Sequence, residues 1–333
     1  MTRWFIAAIA GVVLFPAVVR GQAAVVEVQQ NAGMTSESNS VASTQLRVFG
    51  EPVAGLRFKL EGSFGQQFGE GSDFLGTAYP YGGRADLIEA YAEYLFTDRF
   101  LVRSVRAGRY RTPFGISSAG EHGYIGFTRP PLIRYGEYWA LSSGYMEHGI
   151  DVVVGRPQLS AELSVGRPGD VGDAIRRPGV DTVVRVEGSS DSLVVGASFI
   201  DTTPYLPIVW AHGRARYGGV DARWMKGGVA LRGEWLAGRP FNGVSTVGGY
   251  VDAIVHRPVM GPVTLVARAE RLDYDTPMAE FVLKTHRAQL GARVRLWQGL
   301  SVSAGVSHQG GQQTQHKPTV MDVSLSYALR TRF

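Results

Sequence analysis

The sequence predicts an all-β protein, a transmembrane antiparallel β-barrel of about sixteen strands with a pore-constricting loop. Apolar and polar residues alternate through most of the chain with a period of two, which indicates strands with two unlike faces. The alternating segments are about 9–12 residues long, the length that a tilted strand needs to cross a bilayer. Short connections alternate with long ones, the pattern of barrels with turns at one rim and loops at the other.

The N-terminal segment, residues 1–23, is predicted to be a signal peptide that is removed before the barrel, residues 24–333, folds. Arg3 precedes an apolar stretch, and Gly21 and Ala23 supply the small residues of a cleavage site. The segment holds Arg3 and Arg20 and no acid, so a net charge of +5 falls to +3 in the mature chain. This balance does not suggest a nucleic-acid partner.

Sixteen strands account for the mature chain, and an even number leaves both termini on one side, as in bacterial barrels. The first segment, residues 24–30, is a weak strand candidate, and we count it as a strand because without it the total would be the odd number fifteen. Aromatic residues near predicted strand ends suit interfacial girdles: Tyr94, Phe96, Phe100, Trp224, Trp235, Trp297 and Phe333. The predicted strands are 24–30, 41–49, 55–65, 85–96, 99–111, 146–154, 158–166, 181–188, 192–200, 217–225, 228–238, 246–256, 262–272, 284–296, 300–309 and 319–333.

Alternation also assigns the faces, because a closed sheet in lipid needs an apolar exterior and leaves the polar rows for the lumen. Only four of the 34 basic residues are lysines, so 30 are arginines. An arginine facing lipid at the midplane costs roughly 2–4 kcal/mol, whereas a wide, wet lumen removes that cost. Arg106 has the opposite parity to Arg103, Arg109 and Arg111, which either a β-bulge or a position beyond the hydrocarbon would explain. We predict that these arginines line the pore and bind anions: Arg103, Arg109, Arg111, Arg268, Arg287, Arg293 and Arg295.

The connection 112–145 is the longest, and its proline and aromatic content is not that of a disordered segment. We expect it to fold into the lumen as the constriction loop, with Arg129 and Arg134 exposed to permeating solutes. An extracellular lid with no role in permeation is the alternative.

No motif for catalysis, metal binding or cofactor binding is present. The chain has no cysteine, which excludes disulfides, thiol nucleophiles and cysteine-ligated metals. Its histidines lack metal-ligand spacing, and it contains no nucleotide-binding loop and no nucleophile elbow. We therefore predict no catalytic residue, no metal and no cofactor.

The stretch Val105-Arg-Ala-Gly-Arg-Tyr-Arg-Thr-Pro-Phe-Gly115 resembles the strand-end motif of the phosphate-selective porin O/P family. In that family this motif leads into the loop that folds into the pore. The resemblance implies a sixteen-stranded barrel, usually a homotrimer, that passes anions through a basic constriction. The phosphate-specific members use lumen lysines together with arginines, and this chain has four lysines. The terminal Phe333 resembles the signal read by the outer-membrane assembly machinery, which is therefore an implied partner.

These observations predict a porin of the Gram-negative outer membrane that allows passive diffusion of small hydrophilic solutes. Its expected partners are outer-membrane lipid and small anionic or hydrophilic solutes. Anion preference follows from the arginines, although lumen acids such as Glu61, Glu89 and Glu162 could balance them. Two other function classes stay open: a barrel enzyme of the lipase or protease kind, and a secreted soluble β-sandwich that binds a ligand.

Overall fold

The structure is a computed structural model of the 333-residue chain. It describes residues 24–37, 39–68, 82–97, 101–116, 126–129, 131–134, 146–169, 179–202, 214–241, 244–256, 261–275, 282–311 and 318–332. The predicted signal peptide and Phe333 lie outside these ranges, and so does much of the 112–145 connection. Among the described residues, no helix has the length and apolar character needed to span a bilayer.

The described ranges contain sixteen strands, as predicted. They are β1 Val25–Thr35, β2 Ser40–Val53, β3 Leu56–Phe68, β4 Gly82–Leu95, β5 Val102–Arg111, β6 Met146–Arg156, β7 Leu159–Gly169, β8 Asp181–Ser189, β9 Leu193–Thr202, β10 Ala215–Lys226, β11 Val229–Phe241, β12 Val244–Val255, β13 Val263–Asp275, β14 Val282–Trp297, β15 Leu300–Gly311 and β16 Thr319–Arg332. A short 3-10 turn, Leu132–Arg134, lies between β5 and β6.

Every strand pairs antiparallel with its sequence neighbours, and β16 pairs with β1, so the sheet closes on itself. The weak first segment is a full strand that runs to Thr35 and pairs with both β16 and β2. Closure satisfies the backbone of every strand and leaves no sheet edge. A single closed sheet also excludes the soluble sandwich, which needs two sheets packed face to face.

The outer surface is apolar and the inner surface is polar, as the alternation predicts. On β16, Met321, Val323 and Leu325 are 64%, 48% and 46% exposed, whereas the intervening Asp322 and Ser324 are buried. An apolar exterior around a closed barrel can be stable only in a bilayer. The chain is thus a multi-pass β-barrel of the Gram-negative outer membrane.

Tight turns occupy one end of the barrel, together with the start of β1 and the end of β16. Gly55, Gly227 and Gly299 take positive φ values of 81°, 60° and 77° in these turns, a conformation that glycine adopts without steric cost. We assign this end to the periplasm and the opposite end to the cell exterior, because outer-membrane barrels keep their short turns inside.

Two details of the predicted layout are wrong. The connection 239–245 that the predicted strand bounds leave is too long, because β11 extends to Phe241 and β12 begins at Val244. Trp235 lies in the middle of β11 and not at its end. There it pairs with Gly249, on which an added Cβ would meet the indole at 2.5 Å. The position therefore reflects packing of an aromatic ring against a glycine across the strands.

Candidate functional site

The inner wall is built from ion pairs between neighbouring strands. Arg232, Asp252 and Arg268 lie in one register row across β11, β12 and β13. The Asp252 carboxylate accepts hydrogen bonds from Arg232 Nε at 2.8 Å and from Arg268 Nε at 2.6 Å. Further along the wall, Arg185 donates to Asp221 at 2.6 Å. Because these carboxylates are buried, the arginines beside them neutralise charges that would otherwise be costly to bury.

A second charged network covers the inner face of β1 to β5. The buried carboxylate of Glu61 is close to three cations: Arg47 at 3.3 Å, Lys59 at 3.0 Å and Arg111 at 2.8 Å. Lys59 also contacts Glu89. Glu61 and Glu89 are directly opposite in the β3–β4 register, and the three cations lie around them, so this part of the wall carries no large excess of either charge.

The connection after β5 turns into the lumen. Phe114 is fully buried and packs edge-to-face on Tyr217 of β10, with ring centroids 5.0 Å apart. The backbone N–H of Gly115 donates to Ser198 Oγ of β9 at 3.2 Å. Gly115 has a φ of 62°, and a Cβ there would fall 1.9 Å from Glu234 Oε1. A side chain at this position would have to displace the Glu234 carboxylate, and the positive φ independently favours glycine.

A second part of the same connection crosses the wall near β13 to β16. Asp322 of β16 accepts hydrogen bonds from Arg129 Nε at 2.6 Å and from Thr128 Oγ1 at 3.0 Å. Arg268 Nη1 donates to the Arg129 carbonyl at 3.0 Å, and its guanidinium stacks 3.9 Å from the centroid of the Phe127 ring. The described parts of the connection therefore lie inside the barrel, as the prediction of an inserted loop requires.

An apolar patch on the inner wall receives the loop, and the sequence analysis missed it. Its wall residues lie towards the extracellular ends of β8 to β13, and all are buried although they face the lumen. A sequence signal exists, because the alternation fails there: Val183-Val184, Phe199-Ile200 and Trp235-Leu236 place apolar residues on both faces. The lumen patch consists of Val183, Ile200, Tyr217, Leu236, Tyr250 and Leu272, with Phe114, Leu132 and Ile133 packed against it.

The arginines of β5 divide between the two faces. The β5–β6 register shifts between Val102 and Ser104, which places Arg103 in a bulge, one of the two explanations considered for this strand. Arg103 is exposed and lines a recess of about 890 Å³ near the periplasmic end together with Glu93. After the bulge, Arg106 faces the lumen, where Nη2 donates to Asp151 at 2.8 Å and to Glu162 at 3.1 Å.

Arg109 faces outward, opposite to its predicted direction. It pairs in register with His148, two residues from the exposed Ile150 of the lipid-facing side. The bulge explains the error, because it reverses the parity that Arg103 would otherwise share with Arg109. Arg111, at the strand end where the chain turns inward, does reach the lumen network through Glu61.

The other predicted arginines occupy unlike environments. Arg129, Arg268 and Arg287 are buried and paired, the last with Glu270 at 2.6 Å. Such arginines support the wall and the loop and are not exposed to solutes.

The remaining predicted arginines are less buried or lie at the edge of the described ranges. Arg293 donates to Ser301 Oγ at 2.8 Å, and Arg295 is exposed near the periplasmic end. Arg134 ends the 3-10 turn, and its side chain lies outside the described part of the chain.

Solved structures with the same architecture span nearly the whole chain. OmpF of Salmonella typhi, in complex with daunomycin, superposes with a TM-score of 0.65 at 13% identity, covering 92% of this chain and 97% of that one. The fold is that of outer-membrane porins. An anion-selective porin from Comamonas acidovorans gives 0.61 at 15% identity, with 94% and 99% covered. The trimer form of OmpT, an outer-membrane protein of Vibrio cholerae, gives 0.63 at 9% identity, with 93% and 99% covered.

No protein-family profile matches the sequence, and no curated protein matches it either. The resemblance to the phosphate-selective porin O/P family therefore stays a prediction. At these identities the solved structures establish the fold alone, and the function has to be argued from the wall and the loop.

Proposed function

We propose that this barrel is a porin through which small hydrophilic solutes diffuse passively, with a preference for anions. The observation that carries the proposal is the loop packed inside the barrel, held by Asp322 and by the lumen patch. A loop fixed in this way narrows the bore of the closed barrel. Passive diffusion then needs only a wet path beside the loop and no reaction chemistry.

The anion preference is better assigned to the periplasmic end than to the mid-wall arginines, which carboxylates neutralise. Four exposed arginines face the lumen side near that end and make no ion pair within the described ranges. Unpaired arginines at a pore mouth raise the local concentration of anions over a Debye length of roughly 8–10 Å. These mouth arginines are Arg103, Arg295, Arg330 and Arg332.

Conductance across a planar bilayer tests both parts of the proposal. The full chain should give stepwise currents, and its reversal potential in a salt gradient should have the sign of anion preference. The triple variant R295Q/R330Q/R332Q should lose much of that preference. The control K226Q/R271Q/K284Q removes the same charge from outward positions and should keep it.

The outcomes separate the alternatives. A cation-selective reversal potential in the unmodified protein would remove the anion preference and leave the pore. Absence of stepwise conductance would remove the pore, and hydrolysis of ester or peptide substrates by the same sample would then favour a barrel enzyme.

We further propose that the porin is a homotrimer, with the outer face of β1 and β2 between protomers. Gln30 lies at the middle of β1, is exposed on the outer face and pairs with Thr44. Polar side chains at mid-membrane are unfavourable against lipid and favourable between protein surfaces, and the neighbouring Ala32 and Ala42 permit close approach. One solved structure of the same fold is described as a trimer form.

The mass of the protein in detergent tests this contact. Ala42→Trp should convert trimers to monomers, because a bulky side chain would separate the protomers. Ala197→Trp is the matched control, since Ala197 is exposed on the outer face of β9, across the barrel from β1. Equal masses for the two variants would contradict the assignment.

A further inference from the structure

The recess of about 890 Å³ at the periplasmic end lies between the β4–β5 and β6–β7 turns. Cavities of this size hold small organic ligands. One row of its wall runs across three strands, with Leu95 opposite Ser104 and Ser104 opposite Val153. Arg106 and Asp151, two residues along β5 and β6, face the lumen, and this row therefore faces the lumen too.

The recess has apolar side chains where a lumen wall is expected to be polar. Leu95 and Val153 are half-buried on the inner face, and Phe96 and Leu101 add apolar surface at the rim. The lumen patch shows the same departure from alternation, but there the inserted loop packs on the apolar residues. The recess leaves its apolar side chains open, so that a bound molecule can reach them.

Charged side chains border the same recess. Arg103 and Arg156 are exposed, and Glu93 is half-buried. Within the described ranges, none of these three side chains forms an ion pair. The two arginines next to Glu93 in the register, Arg57 and Arg106, each pair with a different carboxylate. The recess therefore offers two guanidiniums and one carboxylate to a ligand.

These groups match a molecule that carries both charges and an apolar side chain. An arginine fork holds a carboxylate through two parallel hydrogen bonds, and an ammonium group donates up to three. An anion without an ammonium group would leave Glu93 without a partner in a partly apolar site.

We propose that the recess binds apolar zwitterions of the amino-acid class. The ligand carboxylate lies on Arg103 and Arg156, its ammonium group on Glu93 and its side chain on the apolar row. The assignment extends the proposed porin function to one class of solute, but binding itself does not require a conducting pore.

Titration of the purified full chain in detergent with L-phenylalanine, followed by saturation-transfer NMR, tests the proposal. Three analogues each remove one feature: N-acetylphenylalanine lacks the ammonium group, phenylalaninamide lacks the carboxylate, and alanine lacks the large apolar side chain. Each should bind about tenfold more weakly than phenylalanine, since each loses a charge-assisted hydrogen bond or apolar burial. Equal affinity for N-acetylphenylalanine and phenylalanine would overturn the zwitterion assignment.

Two variants assign the charged groups of the recess. E93Q should weaken phenylalanine binding about tenfold without weakening N-acetylphenylalanine, because it removes only the partner of the ammonium group. R103Q/R156Q should weaken phenylalanine and N-acetylphenylalanine without weakening phenylalaninamide, which has no carboxylate. Loss of all ligands alike in either variant would contradict these roles.

Two controls remove the same charges outside the recess. D191N lies in the β8–β9 turn at the same end of the barrel, and it should bind phenylalanine as the unmodified protein does. The same result is expected for K226Q/R271Q, and heat-modifiable migration on a gel checks that each barrel is folded.

The recess and the pore can fail separately. Absence of saturable phenylalanine binding, or unchanged affinity in both E93Q and R103Q/R156Q, would overturn the recess as a binding site. Stepwise conductance in the same sample would then leave the proposed porin function standing. Saturable binding that these two variants weaken, in a sample without conductance, would support the recess and overturn the porin function.

Discussion

Arg129 and Asp322 form a buried two-pronged ion pair that ties the inserted loop to the last strand. Arg129 Nε and Nη2 lie 2.6 and 2.9 Å from the two carboxylate oxygens, and the side chains are 6% and 0% exposed. The residues are 193 apart in sequence. Because β16 is also the strand that closes the barrel on β1, the loop can take this position only once the C-terminal strand is in place.

Asp322→Asn should release this part of the loop. The variant removes the negative charge and leaves Arg129 buried without its partner, a loss of about 3–5 kcal/mol for a buried pair. We expect noisier single-channel currents, and cleavage by added protease within 112–145. Glu162→Gln removes a carboxylate from the same inner wall but from the pair with Arg106, and should change neither readout. Identical currents for the two variants would show that the loop does not depend on Asp322.

Gly115→Ala should displace the other anchored part of the loop. The added methyl group would fall 1.9 Å from Glu234 Oε1, at a φ of 62° that disfavours a side chain. Gly227→Ala has the same backbone strain, with a φ of 60°, but its Cβ meets nothing within 4 Å. Comparing conductance and denaturant midpoint for the two variants isolates the clash from the strain. A loop that tolerates alanine as well as the turn does would contradict the close approach to Glu234.

The strand count and the two faces could be predicted because both depend on local alternation. β16 shows this most clearly, with Asp322 and Ser324 inside and Val323 and Leu325 outside. Arg109 shows the limit of the same logic. One extra residue at Arg103 reverses the direction of every later side chain of β5. Alternation shows that Arg106 disagrees in parity with Arg103 and Arg109, but it does not show at which residue the bulge lies.

Partners along the inner wall, and between the wall and the loop, could not be predicted, because they depend on register and on where the loop lies. Asp252 faces Arg232 and Arg268 only through the pairing of β11, β12 and β13. Leu272 and Ile200 are apolar residues on a polar face, and their reason is the loop that covers them. Alternation treats each strand separately and so contains no information about either contact.

Phe114→Ala should weaken the docking of the loop on the lumen patch. The variant loses the edge-to-face contact with Tyr217 and leaves a cavity, and such truncations cost about 3–5 kcal/mol in packed cores. We expect faster proteolysis within 112–145 and little change in the migration of the folded barrel. Phe199→Ala removes an outward phenylalanine that is 49% exposed, and the loop should be cut at the unmodified rate. Faster cleavage in both variants would indicate a general loss of stability instead.

Arg268→Met should destabilise the barrel, because Arg268 joins wall and loop through contacts with four residues. It donates to Asp252 and to the Arg129 carbonyl and stacks on Phe127 and Tyr250, and its side chain is fully buried. Methionine fills much of the space but leaves the Asp252 charge with Arg232 alone, at a cost of about 3–5 kcal/mol.

Arg271→Met is the matched control on the same strand. Its ion pair with Asp273 lies on the outer face with the Arg271 side chain 59% exposed, and such pairs contribute about 0–1 kcal/mol. Unfolding in guanidinium chloride, followed by tryptophan fluorescence, should give a clearly lower midpoint for Arg268→Met than for Arg271→Met. If the two midpoints agree, Asp252 is stabilised by Arg232 or by water, and the register row across β11, β12 and β13 does not hold the wall together.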